Sequence, residues 1–523
     1  MATLLRRFTV LAVLGMSIAY AQTFPTDDEV IKNIWKEAME SSQLEMLGHE
    51  LLDVVGPRLT GTPQIKNAHD WAVAKYKSWG IDAKNEEWGK WRGWERGITH
   101  VDLLEPRVRT LEATMLAWSP ASKKGGSSAG VVVLPDFEDS VTSFQKWLPS
   151  VKGKFVLFSA PNPSGRPDTN WATHATPKSL EKIRAERREI TQNWQQRIRR
   201  TGRRADSLQL ALEDAGALGI LTNNWAGGWG VDRVFSTIAK KVPVVNLSVE
   251  DYNLVFRLAQ NGKNPVVRVL VESKFLGAVP TFNTIATIRG SEKPNEYVML
   301  SAHFDSWESS SGATDNGTGS ILMMEAARIL KKYYPNPKRT IIVGLWSSEE
   351  QGLNGSRAFV KDHPEVVDNL QALFNQDNGT GRIQTISAQG FLSTGEFLAR
   401  WFSRIPTEVV GDIRLNLPGT PQGGGTDNAS FIAAGAPGFN LSALGWDYFT
   451  YTWHTNRDTY DKLVFDDLKN NAVLTACLAY LASEDPLTIP RERRVLPVSP
   501  QSGQQQEWPV ARDGQRAGGL PQQ

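Results

Sequence analysis

Residues 296–346 read EYVMLSAHFDSWESSSGATDNGTGSILMMEAARILKKYYPNPKRTIIVGLW, and this stretch decides the fold class. Two short apolar runs, at 296–302 and 340–346, are typical of strands that are buried on both faces. Between them, residues 317–334 have the apolar periodicity of an amphipathic helix. A strand, a helix and a second strand in this order predict two parallel strands that are joined by a helical crossover.

A third apolar run of the same kind follows at 369–375 (NLQALFN). Buried parallel strands that alternate with helices predict a three-layer α/β/α fold around a central mixed, mostly parallel sheet. Open sheets of this type bind ligands beyond the carboxyl ends of their strands. Chemically active residues that follow these three runs are therefore candidates for a single site.

Acidic residues and histidines do follow all three runs. The candidate ligands and acid–base groups are His303, Asp305, Asp315, Glu349, Glu350, Asp377 and, further along the chain, His454. Imidazole nitrogen and carboxylate oxygen both suit zinc. The set offers five ligands, one supporting carboxylate and one general base, which together are what a centre of two zinc ions requires.

The charges of these ligands support a centre of two divalent cations. The carboxylates of Asp315, Glu350 and Asp377, together with one bridging hydroxide, would cancel four positive charges. His303 and His454 would complete the coordination as neutral ligands. One carboxylate must bridge the two cations, and Asp315 is the predicted bridge. Cobalt or manganese would fit similar ligands, so the native metal stays open.

Two aspartates are expected to orient the histidines. Residues two apart in an extended chain point the same way, so Asp305 is expected to accept the second ring N–H of His303. Asp458 follows His454 in WHTNRDT and is expected to serve it in the same manner. Each residue taken singly has an ordinary explanation as a loop or capping group. The ordered set is what indicates a site.

Five segments resemble the motifs of the zinc aminopeptidase and glutamate carboxypeptidase family, and its secreted branch is the most similar. They are HFDSW, GATDNGTGS, LWSSEEQGLNGS, NQDNGTG and WHTNRDT. The resemblance covers residues 40–105 and 275–485, and it implies the zinc-exopeptidase form of the α/β/α fold.

The resemblance also implies a role for each candidate residue. One implied zinc subsite comprises His303, Asp315 and Asp377, and the other comprises Asp315, Glu350 and His454. Glu349 is the implied general base, and a cis peptide bond is implied after Asp315. Asp427-Asn428 stands where the family often has Asp-His, and Asn378 stands where many relatives have an apolar residue. The substrate contacts at those positions therefore stay open.

The N-terminus predicts export. Residues 1–21 contain Arg6 and Arg7, then an apolar stretch, then Ala-Tyr-Ala, which together are typical of a cleaved signal peptide. An uncleaved anchor is the alternative, and no other segment is apolar enough to span a bilayer. Cys477 is the single cysteine, so an intramolecular disulfide is ruled out. We predict a secreted or periplasmic bacterial protein.

The remaining chain divides by pattern. Residues 22–105 and 276–490 are predicted to form the peptidase domain. Residues 106–275 are predicted as an inserted, β-rich unit, which resembles the protease-associated domain of several family members. Within it, residues 178–206 are strongly basic and predict either a solvated helix pair or an arm that meets acidic peptides. Residues 491–523 are rich in Pro, Gln and Gly and are predicted to be disordered.

The sequence therefore predicts a secreted zinc exopeptidase that acts on short peptides, as an aminopeptidase, a carboxypeptidase or a dipeptidase. One alternative is a binding protein on an inactive peptidase fold, which should have lost ligands. Another is a mononuclear zinc acyltransferase, which does not use the full ligand set. The net charge of +2 and the lack of any recognised nucleic-acid-binding motif argue against a nucleic-acid partner. The chain can also be an oligomer.

Overall fold

The computed structural model describes residues 27–137 and 140–519, so the predicted signal peptide at 1–21 lies outside the described residues. The strands are β1 (Asp82–Glu105), β2 (Arg109–Leu111), β3 (Ala113–Met115), β4 (Ser127–Val133), β5 (Phe155–Leu157), β6 (Gly219–Thr222), β7 (Val244–Leu247), β8 (Val266–Ile288), β9 (Lys293–His303), β10 (Arg339–Trp346), β11 (Leu370–Asn375), β12 (Ile383–Ser387), β13 (Arg414–Asn416), β14 (Gly438–Ala443) and β15 (Ala517–Gly518).

The α-helices are α1 (Glu29–Glu40), α2 (Leu44–His49), α3 (Pro63–Ser78), α4 (Ser140–Trp147), α5 (Asp168–His174), α6 (Pro177–Arg200), α7 (Ala205–Asp214), α8 (Val249–Gln260), α9 (Thr318–Tyr333), α10 (Asn354–Asp362), α11 (Pro364–Asp368), α12 (Thr394–Phe402), α13 (Thr407–Val410), α14 (Asn428–Ala433), α15 (Tyr448–Tyr451) and α16 (Phe465–Glu484). None of these helices is long and apolar enough to cross a membrane.

The strands form one continuous mixed sheet. Its order is β13-β12-β14-β11-β9-β10-β8-β4-β5-β6-β7-β3, and β1 branches from β8. The central pairs β10–β9, β9–β11 and β11–β14 are parallel, whereas β8–β10 and β12–β14 are antiparallel. The three apolar runs of the sequence are the central strands β9, β10 and β11. The predicted mixed, mostly parallel α/β sheet is confirmed.

Helices cover both faces of the central strands. On one face, α1, α3, α9 and α16 share a core with Val298 and Leu300 of β9. On the other face, residues of α10, α11 and α14 pack with Met299. Neighbouring β9 residues therefore enter different cores, as side chains of a strand alternate between the two faces of a sheet. The three-layer arrangement follows directly from this double burial.

Residues between β1 and β8 build a second core around Phe155, Ile220 and Val245. The two long strands pair antiparallel over most of their length and join this inserted unit to the catalytic half. The unit contains helices α4–α8 as well as strands β2–β7, so it is a mixed α/β unit and the β-rich expectation is wrong. Ile183 and Trp194 are the buried residues of α6. The other residues of this helix are not buried, so its sequence can be basic and polar.

The C-terminal residues 491–519 follow a defined path, which differs from the disorder that their composition predicts. Arg491 donates hydrogen bonds to backbone carbonyl oxygens of the catalytic unit. Trp508 packs edge-on against Phe391 with ring centroids 5.5 Å apart. Further on, β15 pairs with β1. A few large side chains anchor the segment. The prediction of disorder rested on its overall content of Pro, Gln and Gly, which does not reflect these individual residues.

Glu37 of α1 makes the stability of this fold sensitive to acid. Its buried carboxylate accepts hydrogen bonds from Arg328 and Lys332, each at 2.7 Å, and from Tyr333 at 2.9 Å. Burial alone would raise the pKa of Glu37, but the three donors outweigh it and lower the pKa from 4.5 to about 2. A depressed pKa contributes stability above pH 4.5 that is lost as the pH falls through about 2.

Glu37→Gln is therefore expected to lower the free energy of unfolding at neutral pH by about 3 kcal/mol. The difference between wild type and variant should shrink as the pH falls from 4.5 to about 2. Urea unfolding of both proteins at several pH values in that window measures the difference in the free energy of unfolding. The contributions of the other titrating carboxylates are the same in both proteins and cancel in this difference. A difference that stayed constant with pH would contradict this account.

Candidate metal centre

The three central strands deliver the candidate residues to one edge of the sheet. His303 is the last residue of β9, Glu349 and Glu350 follow β10, and Asp377 follows β11. Because β9 is parallel to both neighbours, the three carboxyl ends lie together. Asp315 reaches the same place from the turn before α9, and His454 reaches it from the loop after α15.

Asp315 stands between two groups of donor atoms. Its Oδ1 lies 3.4 Å from His303 Nε2, which is itself 3.0 Å from Asp377 Oδ1. Its Oδ2 lies 3.2 Å from His454 Nε2, which is 2.8 Å from Glu350 Oε2. The ligand atoms of each triad fall within 4.8 Å of one another. The two oxygens of one carboxylate thus serve two different triads, and the peptide bond after Asp315 is cis.

The donor atoms fit metal ions. Glu350 Oε1 is buried and has no hydrogen-bond partner in the described chain. A buried carboxylate oxygen without a donor is costly, and a bound cation removes that cost. Two imidazole nitrogens and three carboxylates are also the ligand types that zinc prefers. The residues of both triads therefore fit a pair of divalent cations.

The electrostatics of the centre favour positive charge. Burial lowers the pKa of His454, but Glu350 and Asp315 outweigh it and raise the pKa to about 10. The pKa of His303 is likewise raised well above its usual range, against burial, chiefly by Asp377. Carboxylates that attract protons to both imidazoles will also attract cations in their place, since metal binding and protonation compete for the same nitrogens.

Glu349 is placed beside the triads and belongs to neither. Burial raises the pKa of its carboxyl well above the usual range, with the charges of Asp377 and Asp427 adding to the shift and that of His303 opposing it. Glu350, the next residue, supplies its oxygen to His454 and Asp315 instead. The two neighbours of identical chemistry therefore occupy different positions in the centre.

Asp305 supports the centre in a way that its spacing did not indicate. His303 Nδ1 lies 3.0 Å from the backbone carbonyl oxygen of Asp305 and 3.7 Å from its carboxylate. The carboxylate instead accepts the backbone N–H groups of Glu349 at 3.1 Å and Glu350 at 3.3 Å. The predicted carboxylate acceptor is therefore wrong, because the Asp305 carboxylate bonds these two backbone N–H groups instead. The carbonyl fixes the imidazole, and the carboxylate fixes the Glu349-Glu350 turn.

Asp458 also has partners other than the expected histidine. Its buried carboxylate accepts the backbone N–H groups of Thr314 at 2.8 Å and Asp315 at 3.0 Å. His454 Nδ1 has no hydrogen-bond partner within the described residues. The expectation that Asp458 orients His454 is therefore wrong. Asp458 holds the turn that presents Asp315, a contact that the order of residues in the chain does not reveal.

Two further buried residues lie near the centre, and the sequence analysis gave neither of them a role in it. Arg58 is fully buried and donates to the carbonyl oxygens of Phe304, Ser311 and Gly312, which fixes the segment between His303 and Asp315. Asp427 is also fully buried, and neither of its side-chain oxygens has a hydrogen-bond partner among the described residues. Asp427 had drawn attention through its motif position, whereas Arg58 had no local signal beyond the segment GPRLTGT.

Comparison with known proteins agrees with this geometry. The model described as Peptidase family M28 matches residues 283–479, which contain both triads. Carboxypeptidase Q of Bos taurus is 26% identical over 441 residues, covering 84% of this chain and 85% of the relative. Carboxypeptidase Q of Homo sapiens is 25% identical over 445 residues, with 84% and 85% covered.

Solved structures show the same fold. A peptidase M28 precursor from Shewanella amazonensis SB2B has a TM-score of 0.63 at 25% identity, covering 88% of this chain and 97% of that one. A zinc aminopeptidase from Bacillus subtilis has a TM-score of 0.52 at 19% identity, covering 85% and 95%, and shows likeness of fold alone. The chain therefore resembles peptidase family M28 over residues 283–479, and it is a metallo-exopeptidase.

Proposed function

We propose that this protein is a secreted exopeptidase that binds two zinc ions per chain and hydrolyses the terminal peptide bonds of short peptides. The observation that carries the proposal is the division of Asp315 between two triads. Its Oδ1 faces His303 and its Oδ2 faces His454, so one carboxylate can serve two cations. When bound, such a pair of cations acidifies water and polarises a carbonyl group.

The residues of the chain supply the proton transfers. Glu349 accepts a proton from the attacking water and returns it to the nitrogen of the leaving amine. Asp305 holds the backbone of Glu349 through a 3.1 Å hydrogen bond, so the base keeps its place during both transfers. Glu350 is engaged by His454 at 2.8 Å and is unsuited to the same task.

The surroundings of the centre favour short substrates. His303 and Asp315 are almost completely buried, so the reacting bond must enter a recess. The inserted unit contacts the loop that carries His454, so it borders the centre on that side. The predicted leader at 1–21 would bring the enzyme outside the cytoplasm. An inactive binding protein would be expected to lack ligands, and a mononuclear acyltransferase would not keep both triads.

The proposal is tested by metal content and by blocked substrates. Elemental analysis of the purified protein should give two zinc ions per chain, whereas one zinc with full activity would overturn the two-metal centre. Free dipeptides should be assayed beside their N-acetylated and C-amidated forms. If only N-acetylation abolishes cleavage, the enzyme is an aminopeptidase. If only C-amidation abolishes cleavage, it is a carboxypeptidase. If each modification by itself abolishes cleavage, it is a dipeptidase. Cleavage of none of these peptides would contradict the proposed activity.

The recognition of a substrate carboxylate is not assigned to Arg382. That side chain is half-exposed and pairs with Asp467 at 3.4 Å. Its backbone N–H also donates to the Asp467 carboxylate at 3.1 Å. Arg382 lies shortly after Asp377 in the chain, but its pairing with Asp467 gives no support for binding a substrate carboxylate.

A further inference from the structure

The inserted unit is joined by hydrogen bonds to the loop that carries His454. The backbone N–H of Val234 donates to the carbonyl oxygen of His454 at 2.8 Å. The N–H of Asn456 donates to the carbonyl oxygen of Asp232 at 3.0 Å, and the N–H of Asp232 donates to the Asn456 side-chain oxygen at 2.9 Å. Residues 230–235 are called the clamp segment and residues 448–458 the His454 loop.

Further contacts extend this junction on both sides. Arg233 and Thr455 form an antiparallel bridge between the two segments. The Arg233 guanidinium donates to the carbonyl oxygen of Phe449 at 2.9 Å. In return, the Arg457 guanidinium donates to the carbonyl oxygen of Gly230 at 2.8 Å. The clamp segment and the His454 loop therefore behave as one short two-stranded ribbon, although they belong to different units of the chain.

The imidazole of His454 is enclosed by aromatic rings. Trp453 stacks on it with ring centroids 3.9 Å apart. Phe235 of the clamp segment meets it edge-to-face at 5.3 Å with an interplanar angle of 89°. Trp307 approaches at 6.0 Å, and Phe235 also contacts Trp307 at 5.5 Å. One wall of this enclosure is therefore supplied by the inserted unit.

This enclosure replaces the usual means of orienting a metal-binding histidine. Such a histidine ordinarily donates its second ring N–H to a carboxylate or carbonyl oxygen. His454 Nδ1 has no hydrogen-bond partner in the described part of the chain. Its backbone also adopts φ +57°, a left-handed conformation that costs energy unless neighbouring contacts hold it. The bond from Val234 to the His454 carbonyl oxygen is such a contact.

We infer that the clamp segment positions His454, so that the inserted unit is part of the metal centre itself. Phe235 sets the plane of the imidazole, and Val234 fixes the backbone from which it projects. Neither residue supplies an atom to either triad, so both are positioning residues. Their effect falls on the triad of Asp315, Glu350 and His454, because His454 is the one triad member on the His454 loop. The inference rests on the proposed binding of two zinc ions.

Phe235→Leu removes the ring while it keeps an apolar side chain at the position. Loss of an orienting contact around a metal ligand typically weakens metal binding by about 10- to 100-fold. We expect that loss at one zinc site, with the affinity of the other unchanged. Phe235→Tyr keeps the ring and should restore wild-type affinity. Phe144→Leu is the matched control, because Phe144 is a buried ring of the inserted unit that packs on Phe137 and Trp147.

Zinc affinity is measured by competition with a chromophoric chelator, and zinc per chain by elemental analysis after dialysis. The absorption spectrum of the cobalt-substituted protein reports the geometry at the affected site. One weakened site in Phe235→Leu, with wild-type behaviour in Phe235→Tyr and Phe144→Leu, supports the inference. Two unchanged sites, two equally weakened sites, or the same loss in Phe144→Leu would overturn it.

Two provisions keep the test decisive. Wild-type protein that binds fewer than two zinc ions contradicts the proposed function before any variant is compared. If Phe235→Leu does not fold, Asn456→Ala takes its place, since it removes the acceptor of the Asp232 N–H and leaves the aromatic enclosure intact. Asn456→Asp retains an acceptor oxygen and serves as its control. Equal zinc affinities in Asn456→Ala and Asn456→Asp would then overturn the inference.

Discussion

Replacing Glu349 with Gln is expected to lower kcat by about 10²–10⁴-fold without loss of bound zinc. The amide has nearly the same shape as the carboxylate but cannot take a proton from water. Glu349 belongs to neither triad, so the substitution leaves the ligand set complete. Steady-state kinetics on a free dipeptide, combined with elemental analysis of the same preparation, measures both quantities.

Glu350→Gln is the matched comparison, because it makes the same chemical change at the adjacent residue. Glu350 contributes to the triad of Asp315 and His454, so this variant should lose zinc at one site as well as activity. Zinc retained with activity lost therefore distinguishes a base from a ligand. Near-normal turnover by Glu349→Gln would show that another group carries the proton, and the assignment of the base would be withdrawn.

Asp315→Asn is expected to weaken zinc binding at both sites and to lower kcat/KM by about 10³-fold or more. The substitution removes a negative charge and one of the two oxygens that face different triads. A metal ion contributes several kcal/mol to transition-state stabilisation, and each 1.36 kcal/mol corresponds to about tenfold in rate. Zinc content after dialysis against a weak chelator, and kcat/KM at saturating zinc, are the measurements.

Asp467→Asn provides the control for this effect, since Asp467 pairs with Arg382 outside both triads. It should keep wild-type zinc content and activity. Circular dichroism of Asp315→Asn at neutral pH checks that the fold survives. If Asp315→Asn kept two tightly bound zinc ions, the bridging role of this carboxylate would be wrong, even though its two oxygens face different histidines.

Local patterns in the sequence predicted the catalytic fold well. The runs at 296–302, 340–346 and 369–375 correspond to β9, β10 and β11, and the helical periodicity at 317–334 corresponds to α9. Strands that are buried on both faces need continuous apolar residues, so they appear in the sequence as uninterrupted apolar runs. The composition of the tail was a poorer guide, because a few residues such as Arg491 and Trp508 anchor a segment that is otherwise rich in Pro, Gln and Gly.

The types and the order of the candidate ligands could also be predicted from the sequence. His303, Glu350 and Asp377 come at or just after strand ends, and neighbouring parallel strands bring their ends together. The contacts that support these ligands could not be predicted from the sequence. Asp305 holds the Glu349-Glu350 turn and Asp458 holds the Asp315 turn, whereas spacing had assigned both carboxylates to imidazoles.

The sequence by itself determined which chemical groups are present and at which ends of the sheet they emerge, because side-chain type and strand periodicity are local properties. Tertiary structure decided which oxygen of Asp315 faces which histidine, and it brought Phe235 of the inserted unit against the ring of His454. Those contacts join residues that lie far apart in the chain. Their geometry depends on how whole units pack, and no spacing within a motif encodes it.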